Sequence, residues 1–141
     1  DKAVEASEGL SVEQIFALRG ELFFREAEEK ILNDIVTKNS EKVLVLSLGG
    51  GALISGKNRR LLKENAYCIY LRASVENIIS WLTHAKKTRP LIKDKSEEEL
   101  IVEIRRLFSV RESGYESSAD YVLEMDKKTI HDILSEILGI I

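Results

Sequence analysis

One stretch decides the fold class: Val43-Leu44-Val45-Leu46-Ser47-Leu48-Gly49-Gly50-Gly51. An unbroken apolar run that ends in glycines is typical of a strand buried on both faces of a parallel sheet, so we predict a strand over residues 43–47. Three glycines in a row leave bare backbone amides at the carboxyl edge of that sheet, where ligands of open α/β folds bind. A tight turn is the structural alternative, but three successive glycines at a strand's end favour a ligand site.

Helices and strands alternate around this stretch. Before it, the capping box Ser11-Val12-Glu13-Gln14 predicts a helix that runs to about Gly20, and a longer helix follows over residues 21–38. After it, the apolar pattern predicts helices over 58–65, from Ser74 through Trp81, from Ser96 to about Val110 and over 129–138, with strands over 67–71 and 121–125. Strands that alternate with helices indicate an α/β fold with a parallel sheet.

Composition narrows the class of protein. The chain has 141 residues, 44% hydrophobic and 32% charged, which fits one soluble globular domain. A net charge of −3 gives no basic excess for nucleic acid, and the apolar runs are too short to cross a bilayer. The single cysteine, Cys68, excludes an internal disulfide, and with only two histidines a structural zinc site is not expected. No secretory pattern opens the chain, so we predict a cytoplasmic protein without a nucleic-acid or membrane partner.

The periodicity stops between His84 and Lys95, where five lysines or arginines surround the single proline, Pro90. We predict a basic loop here. Its Arg89 suits the neutralisation of a transferring phosphoryl group, but loop solubility explains the composition equally well, and both interpretations stay open. Taken alone, Arg25 and Arg111 are typical of surface ion pairs.

Read in order, a set of short motifs resembles the shikimate kinase family. The matching motifs are Asp1, Val4-Glu5, Gly9-Leu10-Ser11, Ile15-Phe16, Gly20-Glu21, Phe24-Arg25, Glu28-Glu29, Leu46 to Ala52, Tyr70-Leu71, Arg89-Pro90-Leu91, and Arg111 four residues before Tyr115. Each motif is weak alone, but the ordered set spans almost the whole chain and is specific. The resemblance implies a three-layer P-loop kinase-like fold, a parallel sheet flanked by helices. It also implies ATP-dependent phosphorylation of the shikimate 3-hydroxyl in aromatic amino-acid biosynthesis.

The resemblance assigns catalytic roles to two residues. Asp1 matches the aspartate that holds the substrate hydroxyls and helps to deprotonate the 3-hydroxyl, a role that suits a carboxylate. Arg89 matches the lid arginine that closes over the reacting groups and contacts ATP. In such kinases the protein mainly positions the reactants and neutralises charge, so no covalent nucleophile is needed.

The resemblance also implies a substrate site. Arg25 and Arg111 match two arginines that bind the carboxylate of shikimate, and two guanidinium groups around one carboxylate give strong, directional hydrogen bonds. The pocket is lined by Gly49, Gly50 and Gly51. The implied partner is therefore a small molecule, and family members are commonly monomers.

This sequence departs from the family pattern in two places. No Gly-x-x-x-x-Gly-Lys-Ser/Thr motif for phosphate occurs in the sequence, and Leu82 replaces a second lid arginine. ATP and Mg²⁺ are the implied cofactors, with no magnesium ligand assigned here and the ligands expected upstream of Asp1. Because loss of the family's central strand would leave apolar strand edges unpaired, we expect about 30 further residues before Asp1. Residues 1–141 are thus predicted to form an N-terminally incomplete shikimate kinase-like domain with a lid loop at 84–95.

Two alternatives remain. A catalytically silent relative that binds a ligand would explain the missing phosphate motif and Leu82. A related small-molecule kinase such as a gluconate kinase shares the phosphate-loop architecture. The paired arginines, the Phe24-Arg25 motif and the triple glycine favour shikimate over gluconate.

Overall fold

A computed structural model describes residues 1–38, 43–84 and 96–140. The chain divides into two compact units, Asp1–Tyr67 and Cys68–Ile141, here called unit 1 and unit 2. Most of the predicted lid, including Arg89 and Pro90, lies outside the described residues. None of the helices in the described ranges is long and apolar enough to cross a membrane.

Unit 1 is mainly helical. It contains α1 (Lys2–Glu8), α2 (Val12–Lys38), a single 3-10 turn (Ala52–Ile54) and α3 (Gly56–Asn65). The predicted capping box opens α2: the Gln14 amide donates to Ser11 Oγ at 3.2 Å, and the Ser11 amide donates to Gln14 Oε1 at 2.9 Å. The predicted boundary at Gly20 is a sharp kink inside α2, whereas α1 was not predicted.

The core of unit 1 joins three helical segments. Val4 of α1, Ile15 before the kink and Phe24 after it are buried against one another. Each such side chain contributes about 1.5–3 kcal/mol relative to an exposed one. Five partly buried residues surround this cluster: Leu10, Val12, Phe23, Ala27 and Ile31.

The prediction of a buried strand over residues 43–47 is wrong for this structure. The segment has no regular secondary structure, and Val43 and Val45 are fully or almost fully exposed, at 102% and 88%. A strand exists only where a neighbouring strand completes its hydrogen bonds, and an apolar pattern cannot supply that neighbour. The sheet found among the described residues has two strands, both in unit 2.

Unit 2 carries the parallel sheet. Its elements are β1 (Ile69–Arg72), α4 (Val75–His84), α5 (Glu97–Ser118), β2 (Tyr121–Glu124) and α6 (Ile130–Ile140). The two strands run parallel, with Ile69 opposite Tyr121 and Arg72 opposite Glu124. Two of the three predicted strands, over 67–71 and 121–125, are confirmed within two residues, and the predicted α/β class is confirmed.

Two predicted helix caps are present in unit 2, at Ser96 and Ser74. Ser96 and Glu99 form the predicted reciprocal capping box at the start of α5, and Ser74 Oγ accepts from the Asn77 amide at 3.3 Å. The predicted end of α5 at Val110 is wrong, because the helix continues to Ser118. Tyr115 in this extension packs on Tyr70 of β1, with ring centroids 5.3 Å apart, a tertiary contact that local sequence does not reveal.

Candidate substrate-binding site

The triple glycine of unit 1 lies against charged side chains. A Cβ placed on Gly49 would lie 2.7 Å from Oδ1 of Asp1 and 3.1 Å from Oε1 of Glu28. A Cβ placed on Gly51 would lie 2.6 Å from Cζ of Arg25. Because a carbon cannot approach non-bonded atoms that closely, a side chain at either position would have to displace the charged ends of these side chains. The structure thus brings together four predicted site residues, Asp1, Arg25, Gly49 and Gly51, with Gly50 between the last two.

Arg25 is held unequally on its two sides. Nη1 donates to Glu28 Oε2 at 2.8 Å, and the Glu28 side chain is only 9% exposed. Nε and Nη2 reach Glu21 Oε1 at 3.4 and 3.3 Å, and the Glu21 side chain is 64% exposed. The short bond to a buried carboxylate fixes the guanidinium group, whereas the long bonds to an exposed one are weak. The Glu21 side of Arg25 can therefore exchange its partner for a ligand carboxylate.

Glu28 is the residue that sequence reasoning missed. It matched a family motif, but no role was assigned to it. In the structure it is buried, pairs with Arg25 and faces Gly49 beside Asp1. Its spacing of three residues from Arg25 on one helix was the available signal, since residues three apart are neighbours on a helix surface.

A cleft of about 460 Å³ opens beside these charges within unit 1. Asp1, Glu28 and Gly49 contribute polar groups to its wall. Most of the remaining wall is apolar and includes Val4, Ile31, Leu32, Ile35, Leu46, Leu48 and Ala52. An apolar cleft with a few converging polar groups is the usual form of a small-molecule site.

The loop that follows the glycines is fastened to two helices. Ser55 donates a 2.5 Å hydrogen bond to Glu29 of α2, and its hydroxyl accepts from the Asn58 amide at the start of α3. The hydrogen bond from Ser55, together with Lys57, lowers the pKa of Glu29. The buried side-chain amide of Asn58 donates from Nδ2 to Ala52 O at 2.9 Å. These bonds fix the backbone that leaves Gly51, and so the surface on which Arg25 rests.

The remaining predicted residues lie elsewhere. Arg111 belongs to α5 of unit 2, where its Nε is buried without a hydrogen-bond partner among the described residues. Such an unpaired buried donor is costly, and a ligand carboxylate would satisfy it. Leu82 lies in α4, half-buried. Arg89 lies outside the described residues.

Magnesium and nucleotide phosphates find no built site in the described part of the chain. Within it, no group of three or more His, Cys, Asp or Glu side chains could hold a metal ion. The sequence also contains no complete Gly-x-x-x-x-Gly-Lys-Ser/Thr motif for phosphate.

Comparison with known proteins gives the family. The family model described as shikimate kinase matches residues 1–141. Shikimate kinases from Dictyoglomus turgidum and Burkholderia lata are 36% and 31% identical to this chain. Each match covers 98% of this chain, and 77% and 71% of the respective relative.

Solved structures agree with the sequence relatives. A shikimate kinase from Acinetobacter baumannii in complex with shikimate is similar with a TM-score of 0.84 and 31% identity, covering 99% of this chain and 74% of the other. A shikimate kinase from Bacteroides thetaiotaomicron is similar with a TM-score of 0.82 and 26% identity, covering 99% and 78%. An α/β fold with such relatives has the architecture of the P-loop small-molecule kinases. The chain belongs to the shikimate kinase family. The predicted family, fold class and phosphotransferase activity are thereby confirmed.

Proposed function

We propose that unit 1 supplies the shikimate-binding side of an ATP-dependent kinase that phosphorylates the shikimate 3-hydroxyl. The observation that carries the proposal is the convergence of Asp1 and Arg25 on the glycines at positions 49 and 51. The relative from A. baumannii, which was solved with shikimate, supports the choice of ligand. A carboxylate at one end of the ligand and hydroxyls at the other match an arginine and an aspartate that lie against the same glycine loop.

Arg25 binds the substrate carboxylate in this proposal. Glu28 holds one edge of its guanidinium group, and the edge now in long contact with Glu21 is presented to the ligand. A bidentate carboxylate on that edge would bind more strongly than Glu21, because each donor would reach its own oxygen at a short distance, whereas Nε and Nη2 now share Glu21 Oε1 at 3.4 and 3.3 Å. Arg111 is proposed, from the resemblance alone, to bind the carboxylate of shikimate.

Asp1 orients the reacting hydroxyl. A carboxylate can hold the hydroxyl and accept its proton as the phosphoryl group is transferred. Its Oδ1 lies against the Gly49 backbone and beside the cleft, so a ligand on the glycines would meet it directly. Arg89 is proposed, from the resemblance alone, to neutralise charge on the transferring group and on ATP.

For residues 1–141 taken alone, binding of shikimate without phosphoryl transfer is the second candidate. It is favoured by the absence of a phosphate-cradling motif in residues 1–141 and by leucine at position 82. ATP and Mg²⁺ as cofactors, the monomeric state and the cytoplasmic location stay predictions.

Calorimetric titration of this chain with shikimate, its methyl ester and gluconate tests the binding proposal. We expect shikimate to bind, and the ester to bind at least tenfold more weakly because it offers no charge to the arginines. Equal binding of shikimate and its methyl ester would exclude recognition of the carboxylate by the arginines. Tighter binding of gluconate would exclude shikimate as the preferred ligand.

An assay of ADP release with ATP, Mg²⁺ and shikimate then separates the two candidates. Shikimate-dependent ADP release supports the kinase. Binding of shikimate without any ADP release supports the silent relative for the chain as given.

A further inference from the structure

Gly20 has a backbone conformation that other residues do not adopt. Its φ of 80° and ψ of 170° interrupt α2 between two helical segments, residues 12–19 and 21–38. This region of φ and ψ is essentially restricted to glycine. A Cβ on Gly20 would have no atom within 4 Å, so space is not what excludes a side chain here. The requirement at position 20 is therefore purely conformational.

The corner at Gly20 is braced from both sides. Arg19, directly before it, donates to Glu8 of α1 at 2.8 Å. The guanidinium group of Arg19 also lies over the ring of Phe23, 4.7 Å from its centre. The Arg19 side chain thus joins α1 to the part of α2 beyond the corner.

The corner decides which residues meet at the glycine loop. It turns residues 12–19 back so that Ile15 and Val4 pack on Phe24. Asp1 stands at the start of α1, and Arg25 and Glu28 follow Phe24 on the other side of the corner. The contact of Asp1 and Glu28 with the same glycine, Gly49, therefore depends on the angle that Gly20 sets.

We propose that Gly20 is a positioning residue, whose glycine-only backbone places Asp1 opposite Arg25 and Glu28 around the triple glycine. Its effect on shikimate rests on the proposed function, but its effect on the geometry of the free protein does not. Alanine at position 20 would disfavour the kink and favour a continuous helix, because alanine is the strongest helix former. The straightened helix would draw Ile15 away from Phe24 and Asp1 away from Gly49.

Amide resonances of the glycines give a direct test in the free protein. In ¹H–¹⁵N spectra of Gly20→Ala we expect the signals of Gly49 and Gly51 to move, because the charges beside them are displaced. Two controls match the change. Gly139→Ala substitutes a glycine of α6 in unit 2, and Gly9→Asn keeps a left-handed conformation (φ 66°, ψ 20°) that asparagine tolerates. Both controls should leave the Gly49 and Gly51 signals in place, and wild-type positions for these signals in Gly20→Ala would overturn the proposal.

Titration with shikimate gives the second readout. We expect Gly20→Ala to raise the Kd by about tenfold and the controls to leave it unchanged, because fewer molecules hold the binding geometry. If the wild-type chain binds no shikimate, the proposed function fails while the glycine signals still decide the role of Gly20. If Gly20→Ala does not fold, Gly20→D-Ala, prepared by peptide ligation, replaces it, because a D residue favours the positive φ of this position. Wild-type positions of the Gly49 and Gly51 signals in that variant support the proposal, and displaced signals or a failure to fold refute it.

Discussion

The guanidinium group of Arg25 rests directly on the backbone of Gly51, so that a Cβ at position 51 would lie 2.6 Å from Cζ of Arg25. The Gly51 backbone therefore forms part of the surface that positions the Arg25 guanidinium group. The same loop receives Asp1 and Glu28 at Gly49, two residues earlier. Three charged side chains thus take their positions from a backbone without side chains.

Gly51→Ala should reduce shikimate affinity more than stability. The new methyl group displaces the flexible end of Arg25, which costs little folding free energy but breaks its alignment with Glu28. We expect a loss of about 1–3 kcal/mol in binding, the size of one well-made charged hydrogen bond, measured by calorimetry. Gly56→Ala is the matched control, because its Cβ would make only an ordinary 3.6 Å contact with Arg59. Equal shikimate affinities for Gly51→Ala and Gly56→Ala would contradict the role of Gly51 in positioning Arg25.

Glu28→Ala should lower both stability and shikimate affinity. Removal of this buried carboxylate leaves the largely buried Arg25 without its short hydrogen bond, so we expect a loss of about 2 kcal/mol in unfolding free energy by urea titration. Glu21→Ala removes the exposed, long contact of the same arginine and should change stability by less than about 0.5 kcal/mol. If Glu21→Ala were as unstable as Glu28→Ala, the conclusion that Glu28 is the stronger partner of Arg25 would be wrong.

Arg111→Ala should weaken shikimate binding by about 2–5 kcal/mol, as expected when one partner of a desolvated charge pair is lost. Arg105→Ala, on the same helix, is the control, because Arg105 is more than half exposed and pairs only loosely with Glu76 at 3.4 Å. Unchanged affinity in Arg111→Ala would remove this residue from the substrate site.

Asp126→Asn should destabilise the chain at neutral pH but not in acid. Hydrogen bonds from the Asn77 side chain and the Ser74 amide lower the pKa of Asp126 below its usual value of 3.8. A lowered folded-state pKa gives stability that is present above about pH 4 and is lost as the pH falls through the folded-state pKa.

The measurement for Asp126 is the melting temperature of both proteins from pH 7 to pH 2. The wild type should melt higher at pH 7, and the gap should close in acid. Asp34→Asn, which alters an exposed ion pair with Lys38, should leave the melting temperature nearly unchanged throughout. A gap between wild type and Asp126→Asn that persists at pH 2 would show that the carboxylate's charge is not its cause.

Local sequence was sufficient for features that depend on neighbouring residues. The capping boxes at Ser11 and Ser96 formed as predicted, because each involves only residues three apart. Gly20 was predicted as a helix boundary, and the chain does turn there. The predicted end of α5 at Val110 was wrong, because the continuation of the helix is stabilised by packing of Tyr115 on Tyr70, more than 40 residues away in the sequence.

The order of motifs by itself determined the family of this chain, and with it the prediction that Asp1, Arg25 and the triple glycine are site residues. Only the tertiary structure showed how they are held: Glu28 fixes Arg25 by a short hydrogen bond, and Arg25 lies directly against the Gly51 backbone. It also showed that residues 43–47 lack a partner strand among the described residues. The physical reason is the sequence separation of the residues that interact. Caps and helical periodicity are set by residues three or four apart, whereas burial of a charge, close approach to a backbone and pairing of a strand depend on segments far apart in the chain.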